Sequence, residues 1–219
     1  DYVCGIDNLY LGGEAPDIDD EDSLVNSLDD EKVLVTRPDD IEQEIAILLS
    51  NNQIVARCRG DMEWGARSLG NRSILCRADN YSVVDKINSM IKVRDFWMPF
   101  APSILDEFSE EYFSDVKKIR PYYMTFGFKA SEKKFEEMIA ASHPRDRTIR
   151  PQVVTKKMNP DYHKMLTYYK NITGSGVVLN TSFNLHGEPI VYRNSEAIRV
   201  FLKSGLPHLA LNKYIISKR

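Results

Sequence analysis

Residues 177–190 read VVLNTSFNLHGEPI, and this stretch decides how the chain folds. Its apolar opening predicts a buried strand, and the small polar residues after it run into a glycine and a proline that favour a turn. Ser182 and Asn184 alternate with Phe183, so their side chains share one face of an extended chain. A hydroxyl and a carboxamide there suit a phosphate, a carbonyl or a ribose. The alternative is a turn that hydrogen-bonds its own backbone, and we favour the binding interpretation.

A second stretch, GDMEWGARSLGNRS at residues 60–73, carries three glycines. Glycines at this density predict turns at which the backbone approaches another group closely. Arg67 and Arg72 can present two planar guanidinium groups to one anion. The alternative is a turn whose arginines form surface ion pairs with Glu63 and Asp61, and spacing alone favours that alternative.

A third stretch, KVRDFWMPFAPS, occupies residues 92–103. In an extended segment Lys92 and Arg94 point to the same side, so they can converge on one anion. The alternative is the charged end of a helix, where both cations complement the helix dipole. Spacing alone leaves these two interpretations equal.

Beyond residue 40 the chain alternates between helix-like and strand-like segments. Apolar residues at helical spacing, the first run capped by Asp39 or Asp40 and the last by Ser195, predict helices. The predicted helices cover residues 41–49, 82–92, 162–171 and 195–203. The predicted strands cover residues 53–57, 72–76, 100–105, 122–126, 152–155, 177–179 and 208–211. This interleaving predicts one α/β domain around a twisted mixed sheet.

The charges are distributed unevenly along the 219 residues. Residues 1–40 hold 13 acidic and 2 basic residues, a net charge of −11, whereas residues 41–219 hold 19 acidic and 27 basic residues, a net charge of +8. Residues 14–31 contain nine acidic and no basic residues, which is typical of a linker. A basic body attracts anionic ligands. Judged by charge alone, however, these basic residues are better explained as solvated surface charge.

Several functional classes are excluded by what the sequence lacks. The three cysteines are far apart, which argues against a disulfide framework or a zinc site and fits a reducing cytoplasm. No phosphate-binding P-loop, dinucleotide-binding glycine pattern or hydrolase nucleophile elbow is present. The longest apolar runs are too short for a bilayer and no signal-peptide pattern opens the chain, so we expect no membrane partner. The first residue is Asp1 rather than Met, which suggests a piece of a longer protein.

The three stretches occur in the order found in one family. GDMEWGARSLGNRSIL (residues 60–75), KVRDFWMPFAPSIL (residues 92–105) and LNTSFNLHGEPI (residues 179–190) resemble the C-terminal domain of the nodulation and antibiotic-type O-carbamoyltransferases. The resemblance implies a YrdC-like fold, an open twisted mixed sheet with flanking helices. It also implies that residues 1–40 are an acidic linker and the tail of a preceding Kae1-like domain, and that residues 41–219 are the C-terminal domain.

The resemblance further implies a set of site residues. Lys92 and Arg94 match a Lys-x-Arg of threonylcarbamoyl-adenylate synthases and are the expected catalytic residues. Ser182 and Asn184 match their Ser-x-Asn, and these four would contact the nucleotide phosphate and the carboxyl or carbamoyl group. The carbamoyltransferase motifs add further residues expected to bind substrate or nucleotide, namely Arg67, Asn71, Arg72, Ser73 and Thr181. The chain departs from the family pattern at Asp61, Ala66 and Met98.

The implied chemistry is a half-reaction in which carbamoyl phosphate and ATP, with Mg²⁺ on the triphosphate, give carbamoyl-adenylate. Transfer of the carbamoyl group to a hydroxyl would then occur in the N-terminal Kae1-like domain. No metal site of the protein's own is expected, and no oligomeric state is predicted. Two other functions stay open: a nucleic-acid-binding module that uses aromatics such as Tyr122 and Phe126, which we do not favour, and a catalytically inactive docking domain.

Overall fold

The computed structural model describes residues 7–13, 20–28, 31–92, 99–114 and 118–219. Within these ranges the strands are β1 (Val33–Thr36), β2 (Val55–Cys58), β3 (Arg72–Arg77), β4 (Ala101–Leu105), β5 (Phe128–Lys129), β6 (Thr148–Ile149), β7 (Gln152–Val154), β8 (Val177–Ser182), β9 (His208–Leu211) and β10 (Tyr214–Lys218). The helices are α1 (Glu21–Asn26), α2 (Ile41–Ser50), α3 (Ser82–Ile87), α4 (Ser109–Tyr112), α5 (Pro160–Thr173) and α6 (Asn194–Lys203). A π-helical turn (Asn88–Lys92) continues α3, and 3₁₀ turns cover Asp106–Phe108 and Phe135–Ala141.

Eight strands form one mixed sheet in the order β1-β10-β9-β2-β3-β8-β4-β7. The pairs β2–β9 and β4–β7 are parallel, whereas the other neighbouring pairs are antiparallel. Strands β5 and β6 form a separate two-stranded sheet. This mixed sheet with interleaved helices confirms the predicted α/β fold. Strand β8 lies between β3 and β4, deep inside the sheet, so residues at its end are held by neighbours on both sides.

Both faces of the sheet are covered, because its strands alternate between two cores. On one face α2 and α5 pack on side chains such as Val55 and Val178. On the other face α3, α6 and the segment around β5 and β6 pack on side chains such as Ala56 and Leu179. Neighbouring residues of one strand thus serve opposite cores, which is why the central strands read as continuous apolar runs. Within the described ranges no helix has both the length and the apolar character needed to cross a membrane.

The ends of α2 and α5 show why these helices could be predicted. The Asp40 side chain accepts hydrogen bonds from the amides of Glu42 and Gln43 and so caps α2, as expected. Helix α5 begins at Pro160 and ends at Gly174, whose φ of 80° is the left-handed conformation that glycine adopts readily.

One strand lies in the segment that the sequence assigns to a linker. Strand β1 pairs antiparallel with β10, with Val33 opposite Lys218, and forms the edge of the main sheet. The acidic helix α1 also contacts the body, because Asp22 pairs with Lys213. Part of residues 1–40 is therefore joined to the domain, while the assignment of the rest to a preceding domain stays a prediction.

The chain differs from the predicted pattern in two further places. The strand predicted at residues 122–126 is wrong: these residues form bends, and Met124 has a φ of 54°, which breaks an extended run. The last helix is capped differently, because Arg193 is its N-cap and the Glu196 carboxylate accepts from the Arg193 amide. Ser195 lies inside this helix.

Candidate functional site

The end of β8 brings together three of the residues singled out from the sequence. The Lys92 ammonium donates to Asn184 Oδ1 at 2.6 Å and to Ser182 Oγ at 3.1 Å. The Ser182 hydroxyl in turn donates to Asn184 Oδ1 at 2.7 Å. Lys92 is only 3% exposed. Its buried charge is tolerated because the ammonium donates to these oxygen atoms. We call Lys92, Ser182 and Asn184 the lysine cluster.

Lys92 reaches this cluster from an unusual backbone. It is the last residue of the π-helical turn that follows α3, at the end of the helix predicted over residues 82–92, and its ammonium points to the end of β8. The wider π turn is a local feature that occurs frequently at functional sites. Arg94 and Met98 lie in residues 93–98, outside the described residues, so the predicted pairing of Lys92 with Arg94 stays a prediction.

Asn184 bonds both its own turn and Lys92, so the turn interpretation is confirmed, while its binding of a ligand stays a prediction. Its amide nitrogen donates to the carbonyls of Leu185 and Glu188, at 3.0 and 2.7 Å, and so shapes the turn. Its side-chain oxygen accepts from Lys92. Gly187, with a φ of 80°, closes the turn in the left-handed conformation.

Beside the lysine cluster lies a small open cavity that shares Ser182 with it. The cavity is lined by Ala66, Arg67, Ser68, Pro99, Phe100, Ala101, Met124, Arg150, Asn180, Thr181 and Ser182. Arg67 is exposed at the mouth, and Arg150 is half-buried. Of the predicted binding residues, Arg67, Thr181 and Ser182 therefore meet here.

Arg150 is a site residue that sequence reasoning missed. Burial, and next the positive charge of Arg67, lower the pKa of the Arg150 guanidinium. Within the described ranges neither arginine forms an ion pair with a carboxylate. Two neighbouring guanidinium groups without an anion repel one another, and an anion placed between them would relieve this repulsion. We call Arg67 and Arg150 the arginine pair.

The floor of the cavity is polar and ordered. Asn180, which is 1% exposed, donates through its amide to Ser68 O at 3.3 Å and to Ser103 Oγ at 3.0 Å. Gln152 Oε1 accepts from the same amide and from the Ser103 hydroxyl. This network fixes the loop of Ser68 to strands β4, β7 and β8.

The other predicted residues of the glycine-rich stretch form hydrogen bonds that hold this loop together. Arg72, 3% exposed, donates to the carbonyls of Gly60 and Tyr192 at 2.9 and 3.2 Å. Asn71 accepts from Arg57 and donates to Asp61 O. Asn71, Arg72 and Ser73 do not line the cavity, and Ser73 Oγ accepts from the Gly70 amide at 3.0 Å. These contacts hold the loop together, and the predicted role of the three residues in binding stays a prediction.

Glu63 explains why these residues face inwards. One oxygen of its buried carboxylate accepts from the backbone amides of Leu69, Asn71 and Arg72, at 2.6, 2.7 and 3.3 Å. Its partners are amides, not the arginine side chains, so the ion pairs considered from the sequence do not form. The loop wraps around a carboxylate, leaving Arg67 at its outer edge.

The comparisons with known proteins agree with the motifs. The family model "Carbamoyltransferase C-terminus" matches residues 46–218. The uncharacterised protein MJ1051 of Methanocaldococcus jannaschii is 40% identical over 97% of this chain and 41% of its own length. Nodulation protein NolO of Bradyrhizobium diazoefficiens is 37% identical over 84% of this chain and 34% of its own length. 3'-Hydroxymethylcephem-O-carbamoyltransferase of Streptomyces clavuligerus is 30% identical over 75% of this chain and 32% of its own length.

Solved structures with low sequence identity share the fold. Full-length HypF in its phosphate- and nucleotide-bound form superposes with a TM-score of 0.57 at 18% identity, over 79% of this chain and 25% of HypF. E. coli YciO superposes with a TM-score of 0.54 at 16% identity, over 78% of this chain and 77% of its own. These are YrdC-like domains, so the predicted fold is confirmed. The chain spans about two fifths or less of the length of the curated relatives named above. It belongs to the carbamoyltransferase C-terminus family.

Proposed function

We propose that this chain is the nucleotide- and carbamoyl-phosphate-binding domain of an O-carbamoyltransferase and that it forms carbamoyl-adenylate. The observation that carries the proposal is the arginine pair at a cavity that borders the lysine cluster, with Ser182 lining the cavity and belonging to the cluster. Two arginines line this small cavity, and the ammonium of Lys92 donates to Ser182 at its edge. Such a site suits a phosphoryl group, which carries its charge on several oxygens and is bound well by guanidinium groups.

The relatives support the reaction class. One is named an O-carbamoyltransferase, and the longer relatives have room for a separate domain. We therefore propose that a preceding Kae1-like domain transfers the carbamoyl group to a hydroxyl acceptor, and that this chain supplies the activated group.

The proposed half-reaction balances with water as a co-reactant. Water breaks the bond between the carbamoyl group and phosphate, which gives carbamate and inorganic phosphate. A carbamate oxygen then attacks the α-phosphorus of ATP, the bond to the β-phosphate breaks, and pyrophosphate leaves. The protein needs no nucleophile for these steps, because it neutralises and orients phosphoryl oxygens.

The chain's residues divide this work. The arginine pair holds phosphoryl oxygens at the cavity, while Lys92 adds positive charge next to Ser182, to which its ammonium donates. Ser182 and Thr181 offer hydroxyl groups to the same ligand. Within the described residues, no three His, Cys, Asp or Glu side chains group as a metal site. We propose that Mg²⁺ is held by the triphosphate oxygens.

Calorimetric titration with Mg-ATP, carbamoyl phosphate and a short RNA tests the proposal. The chain should bind both small ligands, and Arg150→Gln should weaken ATP binding by about tenfold or more, because it removes a charge-assisted hydrogen-bond donor. Arg145→Gln is the matched control, since Arg145 is an exposed arginine that does not line the cavity. A chain that ignores both small ligands, or binds only RNA with a steep salt dependence, refutes the proposal.

A further inference from the structure

We propose that His186 is a positioning residue for Lys92, an inference that rests on the proposed function. His186 Nδ1 lies 2.8 Å from the backbone carbonyl oxygen of Lys92. A carbonyl can only accept a hydrogen bond, so Nδ1 carries the hydrogen and donates it. The same turn thus bonds Lys92 at two places, at its backbone carbonyl through His186 and at its ammonium through Asn184.

The hydrogen bond from His186 lies at the end of the π-helical turn, where a donor is needed. Lys92 ends the π-helical turn, and the last carbonyls of any helical segment have no partner inside it. His186 supplies a donor to one of them, at the point where the chain leaves for residues 93–98. It therefore holds the backbone of Lys92 in place at the end of the π-helical turn.

The turn that carries His186 is itself rigid. Asn184 bonds the carbonyls of Leu185 and Glu188, and Val191 N donates to Phe183 O at 3.0 Å. A donor on such a platform holds its partner within narrow limits, which is what a preorganised site requires. The His186 side chain is exposed, so replacing it leaves the core intact.

Three replacements separate positioning from direct ligand contact. In His186→Asn the side-chain amide takes the place of Nδ1 and restores the donor, whereas in His186→Gln it takes the place of Nε2. His186→Leu removes both. In calorimetry with Mg-ATP we expect His186→Asn to stay within about twofold of the wild type. His186→Leu and His186→Gln should bind about 3- to 10-fold more weakly, the loss of one hydrogen bond.

The controls assign each result. Glu188→Gln alters the same turn, where the Glu188 carboxylate pairs with Arg199 and not with Lys92, and should bind normally. Rescue by glutamine instead of asparagine means that His186 contacts the ligand through Nε2 and overturns the inference. Lys92→Ala distinguishes the two levels: if it binds ATP as the wild type does, the proposed role of the lysine cluster fails. If Lys92→Ala loses binding while every His186 variant keeps it, only the inference fails.

Discussion

Gly70 packs the loop that carries Arg67 closely against α5, and replacing Gly70 by alanine tests this packing. Gly70 has a φ of 118°, and a Cβ built there lies 2.3 Å from Tyr162 Cδ1. Tyr162 is fully buried, so its ring has nowhere to move. The unfavourable φ costs about 1–3 kcal/mol. The overpacking adds about 1–3 kcal/mol. Gly70→Ala should therefore destabilise the chain by about 2–6 kcal/mol.

Gly65→Ala is the matched control, because Gly65 lies in the same loop with a φ of 107° and a built Cβ meets nothing within 4 Å. It should cost only the backbone strain, about 1–3 kcal/mol. Urea unfolding followed by circular dichroism measures both free energies of unfolding. Equal losses for Gly65→Ala and Gly70→Ala would show that the contact with Tyr162 does not constrain the loop. A Tyr162→Leu background should relieve part of the Gly70→Ala cost, and purely additive losses contradict the clash.

Three further predictions concern single side chains. Tyr10→Phe should lower the free energy of unfolding, measured in urea, by about 0.5–1.5 kcal/mol. The loss should lie near the lower value, because Gln152 still donates to the same Leu69 carbonyl that Tyr10 Oη binds. A loss above this range contradicts this interpretation of the hydrogen bond. Burial lowers the pKa of His208, so the unfolded chain binds a proton more readily, and stability should fall as pH drops below about 6.5. His208→Gln should flatten that dependence between pH 7.5 and 5.5, and an unchanged slope refutes it. Glu63→Ala should unfold at lower urea and weaken ATP binding, because three loop amides lose their acceptor; normal ATP affinity contradicts its role in the loop.

Local signals predicted much of the fold. The apolar spacing of α2 with its Asp40 cap, and the short apolar runs of β3 and β9, are properties of neighbouring residues. The sequence pattern did not predict β10 and placed Val33–Thr36 in the linker, because both strands are short and partly exposed. In addition, β1 becomes an edge strand only by pairing with β10, which is far away in the sequence. The strand predicted at residues 122–126 failed because the left-handed Met124 leaves no trace in its apolar pattern.

The candidate site, like the fold, was predicted in part from the sequence. The convergence of Lys92, Ser182 and Asn184 was predicted from motifs whose residues lie in order along the chain. Arg150 was missed because only the pairing of β7 with β4 brings its neighbourhood to the cavity. The inward turn of Arg72 was equally hidden, since it follows from the amides that Glu63 binds.

Pyrophosphate exchange tests the central claim most directly. The chain is incubated with Mg-ATP, carbamoyl phosphate and labelled pyrophosphate, and labelled ATP is measured. Reversible formation of carbamoyl-adenylate predicts label in ATP only when carbamoyl phosphate is present, and a loss of at least about tenfold in Arg150→Gln but not in Arg145→Gln. A wild-type chain that binds ATP yet exchanges no pyrophosphate would contradict the claim that this domain forms carbamoyl-adenylate.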